Sequence, residues 1–275
     1  MKRAFVIGHP IAHSRSPLIH GHWLERYGIA GSYEKIDVAP AALPAFFDRL
    51  RSGEFAGGNV TVPHKEAAFA LADEKDPAVV HIGAMNTLVV HNGLIHATNT
   101  DLYGFLANLD AEEPGWSEGL ETAVILGAGG AARGIAAALA SRAIPAIHIL
   151  NRSPEKARAL ATELPGPFEG HGLDRFAQLV PAAGLVVNTT TIGMHSTEFE
   201  GLPLDLLPAG ALVTDIVYTP LETPLLATAR ERGLRTVDGL GMLLHQAVPG
   251  FEAWFGVRPE VTPQLRSIVQ ATLGG

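Results

Sequence analysis

Lysine is scarce in this chain, with five among 275 residues. Lys65 closes Thr61-Val62-Pro63-His64-Lys65, a strand-to-helix turn rather than a solvated face. An ammonium there can stabilise charge on a reacting oxygen and give up a proton; it can equally snorkel from the start of a helix. Asp101, in Asn99-Thr100-Asp101, has two readings as well: a carboxylate that orients a donor, or the N-cap of a helix over Leu102 to Leu109. No spacing rule joins it to Lys65. Ser14 and Ser16 lie in the loop after the first apolar run, at the carboxyl end of a strand, where α/β sheets bind ligands. By residue type alone, Ser16 is better explained as the N-cap ahead of Pro17. Asn86-Thr87 brings an amide and a hydroxyl to the head of a hairpin.

A second chemistry is carried by Gly127-Ala128-Gly129-Gly130-Ala131-Ala132, a G-x-G-x-x-A form of the dinucleotide fingerprint. Gly127 permits the tight turn, Gly129 lets backbone approach a pyrophosphate, and Ala132 allows close packing of helix on strand. The free N–H groups of the following helix then face the phosphates. An NAD site usually places an acid about 20 residues on, for the ribose hydroxyls. Here the next strand ends in Asn151-Arg152-Ser153. Arginine pairs bidentately with phosphate and stacks on adenine, so the pattern favours NADP(H).

The elements that must position these residues alternate between strand and helix, which makes the fold class α/β. Expected strands are Ala4–Gly8, Tyr33–Val38, Asn59–Val62, and a hairpin of Thr87–Val90 and Leu94–Thr98 around His91-Asn92-Gly93. Helices are expected from Ser16, with Ile19, Trp23 and Tyr27 on one stripe, and over Leu43–Arg51. A polar break at Glu112-Glu113-Pro114-Gly115 precedes strands Thr122–Leu126, Ala146–Leu150, Leu185–Asn188 and Ala211–Tyr218, with helices Ala131–Arg142 and Pro154–Leu164 between them. That half reads as a doubly wound nucleotide-binding sheet, and the stretch from Met242 on as helical.

Composition sets the bounds. With 47% hydrophobic and 17% charged residues, 30 Gly and 19 Pro, the chain is neither disordered, nor a coiled coil, nor collagen-like. A net charge of −8 lacks the basic footprint of a nucleic-acid binder. No apolar run approaches a membrane span, and Ala4–Ile7 is too short for a signal peptide. Zero cysteines exclude disulfides and thiolate chemistry and suit the cytoplasm. The 12 histidines show no H-E-x-x-H pattern, and His20-Gly21-His22 lacks i, i+4 spacing, so no metal is expected.

Taken in order, the motifs resemble the shikimate dehydrogenase family from end to end. They are Gly8-His-Pro-Ile-Ala-His-Ser14-Arg-Ser16-Pro-Leu-Ile-His20, Asn59-Val-Thr-Val-Pro-His-Lys65-Glu66, Gly83-Ala-Met-Asn86-Thr87, Asn99-Thr-Asp101, Gly127 to Arg133, Asn151-Arg152, Asn188-Thr-Thr-Thr-Ile-Gly-Met194 and Asp238-Gly-Leu-Gly-Met242…Gln246. The resemblance implies an N-terminal α/β substrate-binding and catalytic domain over 1–101, completed by C-terminal helices in 241–275. A Rossmann-type NADP-binding domain would span 102–240, with a cleft between the two. It implies Lys65 and Asp101 as the catalytic pair, and Ser14, Ser16, Thr61, Lys65, Asn86, Asp101 and Gln246 around shikimate. Gly127, Ala128, Gly129, Gly130, Ala131, Asn151, Arg152, Ser153 and Lys156 would hold NADP(H), with Ile216, Tyr218 and Gly239 near the nicotinamide. The implied reaction is NADPH-dependent reduction of 3-dehydroshikimate to shikimate. Thr191 stands where the family commonly has serine, and Ile216 where several members have methionine; neither touches the proposed chemistry. Two alternatives stand beside this: a quinate/shikimate dehydrogenase using NAD or NADP, and a catalytically silent NADP-sensing protein. The implied partner is a small molecule, with no nucleic acid or membrane, on a monomer or homodimer.

Overall fold

A computed structural model describes residues 1–195 and 197–273. The chain divides into two compact units: Met1–Asp101 with Leu244–Val269, and Leu102–Leu243 with the chain from Gln270 on.

The first unit is built on a six-stranded sheet of β1 (Lys2–Gly8), β2 (Gly31–Asp37), β3 (Gly57–Val60), β4 (Glu74–Lys75), β5 (Thr87–His91) and β6 (Leu94–Thr98), in the order β2-β1-β3-β5-β6-β4. β1 runs parallel to β2 and β3, whereas β5 is antiparallel to β3 and β6. Central β1 is buried from Ala4 to Ile7, as a strand covered on both faces must be. The expected hairpin forms, with Asn92 and Gly93 at φ 52° and 77° between His91 and its partner Leu94, the backbone that a two-residue type I′ turn requires. One face packs on helix Leu43–Arg51, whose Leu43, Phe46, Phe47 and Leu50 follow the helical repeat. The ring of Phe5 meets Phe46 and Phe55 edge-on at 5.1 and 5.0 Å. C-terminal helix Ala247–Phe255 also belongs to this unit, and Trp254 Nε1 donates to the Leu88 carbonyl at 2.9 Å.

The second unit carries β7 (Thr122–Leu126), β8 (Ala146–Asn151), β9 (Phe168–Gly172), β10 (Leu185–Asn188), β12 (Leu212–Asp215) and β13 (Arg235–Val237), ordered β13-β12-β10-β7-β8-β9 and all parallel. A short β11 (Ile192–His195) lies outside that order. From β7 the chain builds outwards to β8 and β9 on one side and then to β10, β12 and β13 on the other, so the order reverses between β7 and β10, the switch point at which doubly wound sheets take ligands. Helices Gly130–Ser141 and Pro154–Glu163 bury Ile135, Leu139, Ala157 and Leu160 against Ile125, Ile147 and Ile149.

Three local expectations are corrected. Ser16 is not an N-cap: Arg15 holds that position, Ser16 is the first helical residue, and its N–H donates to Ser14 Oγ at 3.3 Å. The strand expected over Asn59–Val62 runs Gly57–Val60, because from Thr61 the chain turns and His64 N–H donates back to the Thr61 carbonyl. The strand expected over Ala211–Tyr218 stops at Asp215, whose carboxylate accepts from the Val217 N–H and turns the backbone. Among the described residues no helix is long and apolar enough to cross a membrane.

Candidate active site

In the first unit, Lys65 is the first residue of helix Lys65–Leu71 and Asp101 the first of helix Asp101–Glu112. Lys65 Nζ donates to Asp101 Oδ2 at 2.8 Å, and Asn86 Nδ2 donates to Asp101 Oδ1 at 2.7 Å. Asp101 is therefore not spent as a cap: both carboxylate oxygens are committed to side chains, while its own N–H donates to Asn99 Oδ1. Lys65 and Asp101 remain about a third exposed, at 32% and 30%, so the pair faces solvent and is open to a ligand.

Asn86 is fixed from behind. Its Oδ1 accepts from the Thr100 N–H at 2.8 Å and from the Thr87 hydroxyl at 2.9 Å. That oxygen is thereby held away from Asp101, so the amide N–H groups must face the carboxylate. Thr87 in turn accepts from Asn59 Nδ2 at 3.0 Å, and Asn59 Oδ1 accepts from the Tyr33 hydroxyl at 2.6 Å. Burial pushes the Tyr33 hydroxyl well above its usual pKa, against the opposing effect of its hydrogen bond with Ser16. A single hydrogen-bonded path thus runs from Ser16 through Tyr33, Asn59, Thr87 and Asn86 to Asp101 and Lys65. Gln246 joins at the other side, with Thr100 Oγ1 at 3.5 Å from its Oε1. Thr61 lies on the turn before Lys65, with its methyl facing Gly8. Of the expected substrate residues, Lys65, Asn86 and Asp101 come together directly, Gln246 joins them through Thr100, Ser16 connects through Tyr33, and Ser14 accepts from the Ser16 N–H.

Sequence reasoning missed Tyr33 and Asn59. The available signal was an asparagine in a strand otherwise made of Gly and Val, which has no reason to be buried unless something pairs with it. His20 stacks on Tyr33 with ring centroids 4.0 Å apart, enclosed by Trp23, Phe251 and Trp254. Burial drives its pKa down to about 3, and nearby Asn59 offsets this only in part. At hydrogen-bonding geometry neither ring nitrogen has a partner among the described residues.

In the second unit, Gly127 follows β7 with φ +112°, and a Cβ there would lie 2.6 Å from Thr189 Oγ1. This position requires glycine. Its N–H donates to the Leu150 carbonyl, tying the turn to β8. Ala128, Gly129, Gly130 and Ala131 follow as the opening of helix Gly130–Ser141, and Gly129, Gly130 and Ala131 are exposed. A Cβ on Gly129 or Gly130 would meet nothing within 4 Å, so room for a ligand lies directly over the helix N-terminus. Asn151 ends β8 and donates to the Ser153 carbonyl at 3.1 Å. Arg152 lines a cavity of about 670 Å³ with Leu173, Phe176, Ile192 and Phe199, and Lys156 is exposed one turn into the next helix. At the end of β12, the Ile216 N–H donates to the Asn188 carbonyl, and a Cβ on Gly239 would lie 2.5 Å from the Ile216 carbonyl oxygen. Tyr218 follows, half-buried, on the loop after β12. Burial raises the pKa of Asp215, opposed by hydrogen bonds from Asn188, Val217 and Thr223. This anchor of the loops at the switch point was also not anticipated.

Three family models match stretches of this chain. The shikimate dehydrogenase substrate binding domain matches residues 6–88, the shikimate / quinate 5-dehydrogenase model residues 117–198, and the shikimate 5'-dehydrogenase C-terminal domain residues 239–263. The chain is 56% identical over 274 residues to the NADP(+) shikimate dehydrogenase of Mesorhizobium japonicum, covering 99% of this chain and 97% of that one. It is also 56% identical over 276 residues to that of Methylobacterium radiotolerans, covering 99% and 98%. Among solved structures, shikimate 5-dehydrogenase from Thermus thermophilus in complex with NADP(H) and shikimate aligns with a TM-score of 0.84 at 37% identity, covering 99% of this chain and 100% of that one. Quinate dehydrogenase from Corynebacterium glutamicum in complex with NAD aligns with a TM-score of 0.89 at 30% identity, covering 98% and 99%.

Proposed function

The chain belongs to the shikimate dehydrogenase family, and from that membership we propose that it catalyses the reversible NADPH-dependent reduction of 3-dehydroshikimate to shikimate, a step towards chorismate and the aromatic amino acids. The observation that carries the reading is the Lys65–Asp101–Asn86 constellation, a proton donor held against a carboxylate that is itself oriented by a locked amide.

NADP(H) fits the second unit. The open turn at Gly129 and Gly130 leaves room for a pyrophosphate over a twelve-residue helix, and Arg152 stands where an NAD site has its acid. When bound, NADPH supplies the hydride to the carbonyl carbon of the substrate. As negative charge builds on the carbonyl oxygen, the Lys65 ammonium stabilises it and gives it a proton. Asp101 fixes the direction of that ammonium, and Asn86 fixes Asp101. Ser14, Ser16, Thr61 and Gln246 contact the remaining polar groups of the substrate, while Asn151, Ser153 and Lys156 accompany Arg152 on the nucleotide. Ile216, Tyr218 and Gly239 line the nicotinamide end.

In this reading, residues 1–101 completed by 241–275 form the substrate-binding and catalytic domain, and 102–240 form the NADP-binding domain. The protein works in the cytoplasm as a monomer or homodimer, on small molecules only, away from nucleic acid and membrane. The net charge of −8 and the absence of cysteine support that setting. The test is NADPH formation or consumption with shikimate and with quinate, each against NADP and NAD. Shikimate with NADP is expected to be the fastest pair. A faster rate for quinate with NAD would move the protein to its quinate-oxidising relatives, and four blanks with NADPH still bound would make it a sensor.

A further inference from the structure

Away from the proposed active-site residues, three ligand-type side chains converge on the β8–β9 edge of the second unit. His148 on β8 lies in register with Glu169 on β9, and His171 lies two residues further along β9. All three side chains therefore fall on one face of the sheet. His148 Nδ1 and His171 Nε2 are 3.3 Å apart. Glu169 Oε2 is 3.4 Å from that same His171 nitrogen and 3.7 Å from that same His148 nitrogen. We propose that His148, Glu169 and His171 form a binding site for one divalent transition-metal ion of the zinc class.

The triangle itself is the argument. Three atoms with these separations have a common point about 2.0 Å from each, matching the roughly 2.0–2.2 Å of zinc–nitrogen and zinc–oxygen bonds. In a tetrahedral site, neighbouring ligand atoms lie about 3.3–3.4 Å apart, close to two of the three edges. Only sub-ångström movement of the Glu169 carboxylate is needed to equalise the third, and that side chain is 68% exposed and free to make it. The imidazoles are largely buried, at 14% and 20% exposure, so little rotamer freedom remains to be lost on binding. Two nitrogens and one carboxylate oxygen select zinc, nickel, cobalt or copper over magnesium or calcium. The fourth position stays open, to water.

The ion would join the edge strand β9 to β8 just ahead of Arg152, so its role is to brace the strand end that carries the nucleotide contact. Hydride transfer does not require it.

The test uses the full-length protein, first stripped with chelator, and Co²⁺ as probe. One equivalent of Co²⁺ is expected to bind with visible d–d absorption of the low-coordinate type, and Zn²⁺ to displace it. In His171→Ala, and separately in Glu169→Gln, Co²⁺ affinity is expected to fall at least tenfold, with NADPH binding confirming the fold. His9→Ala, in the first unit, should bind as the parent does. The proposal is overturned if the parent gives no d–d bands at millimolar Co²⁺. It is equally overturned if His171→Ala binds within tenfold of the parent, which would place the ion elsewhere among the histidines.

Discussion

Asp101→Asn separates the charge of the proposed catalytic pair, Lys65 and Asp101, from its hydrogen-bond pattern. The carboxylate accepts at both oxygens, from Lys65 at 2.8 Å and Asn86 at 2.7 Å. An amide of the same shape offers one acceptor and one donor end, so one side must set N–H against N–H whichever way it lies. Asn86 cannot turn to relieve this, because its oxygen already accepts from Thr100 and Thr87. A hydrogen bond to a charged group is worth about 1.5–3 kcal/mol when dry. With the pair about a third exposed, screening brings the expected loss of unfolding free energy down to about 1 kcal/mol. Turnover is expected to fall by about 10²–10⁴, the scale of a positioned proton donor. The exchange Asn86→Asp with Asp101→Asn restores complementarity. The carboxylate, now at position 86, keeps the Thr100 and Thr87 donors and accepts from the amide at position 101, which turns its oxygen towards Lys65. Urea unfolding of the double variant should return to within about 0.5 kcal/mol of the parent, with kcat at least tenfold above the single variant but below the parent. If the exchange is no better than Asp101→Asn in either measurement, the hydrogen-bond reasoning fails.

Lys65→Ala should lower kcat by about a hundredfold or more with a modest change in KM, since it removes a group needed mainly as charge develops; unchanged turnover in a folded variant would remove Lys65 from the chemistry. Arg152→Ala should raise KM for NADPH by about ten- to a hundredfold, the value of a charge-assisted phosphate contact, and leave KM for NADH nearly untouched. Equal losses with both cofactors would show that Arg152 does not read the phosphate. His20 should make the protein acid-sensitive. Its unfolded pKa is near 6.5 and its folded value about 3, so the unfolded chain takes up the proton first and stability is lost as pH falls through that window. Between pH 7 and pH 4 the loss from this group is about 3 kcal/mol. His20→Phe should flatten the pH dependence of urea unfolding by that amount, and an unchanged slope would mean His20 is protonated in the folded state.

Much of the fold was legible because both sheets announce themselves locally. Ala4-Phe5-Val6-Ile7 and Thr122 to Leu126 are continuous apolar runs of buried parallel strands, and Asn92-Gly93 admits little but a tight hairpin turn. Lys65 and Asp101 could each be singled out in the sequence, but their pairing could not. Lys65 and Asp101 stand 36 positions apart, and only the order of β3, β5 and β6 brings their elements together. The error at Ser16 has a related cause. Ser-Pro is a strong helix-start signal, but it cannot tell the cap from the first residue of the helix, and here the serine hydroxyl is used by Tyr33 instead. Tyr33 looks ordinary in its own strand, and Asn59, although out of place among Gly and Val, names no partner until strand order sets it beside Tyr33 and Thr87. The His148–Glu169–His171 cluster escaped a search tuned to helical spacing, since its geometry comes from strand register across β8 and β9.

The unit that holds Lys65 and Asp101 joins Met1–Asp101 to a segment far along the chain, Leu244–Val269. Trp254 bonds to the Leu88 carbonyl, Trp23 to the Glu260 carbonyl, and Phe251 packs on Trp23 and beside His20. During synthesis the elements around Lys65 must therefore wait, with Trp23, His20 and the Leu88 carbonyl still uncovered, until residues 244–269 leave the ribosome. The second unit, whose sheet is complete by Val237, can fold in the interval. Translation speed between the codons of Asp101 and Val269, and chaperones that hold apolar surface, thus bear on how much folded protein a cell recovers.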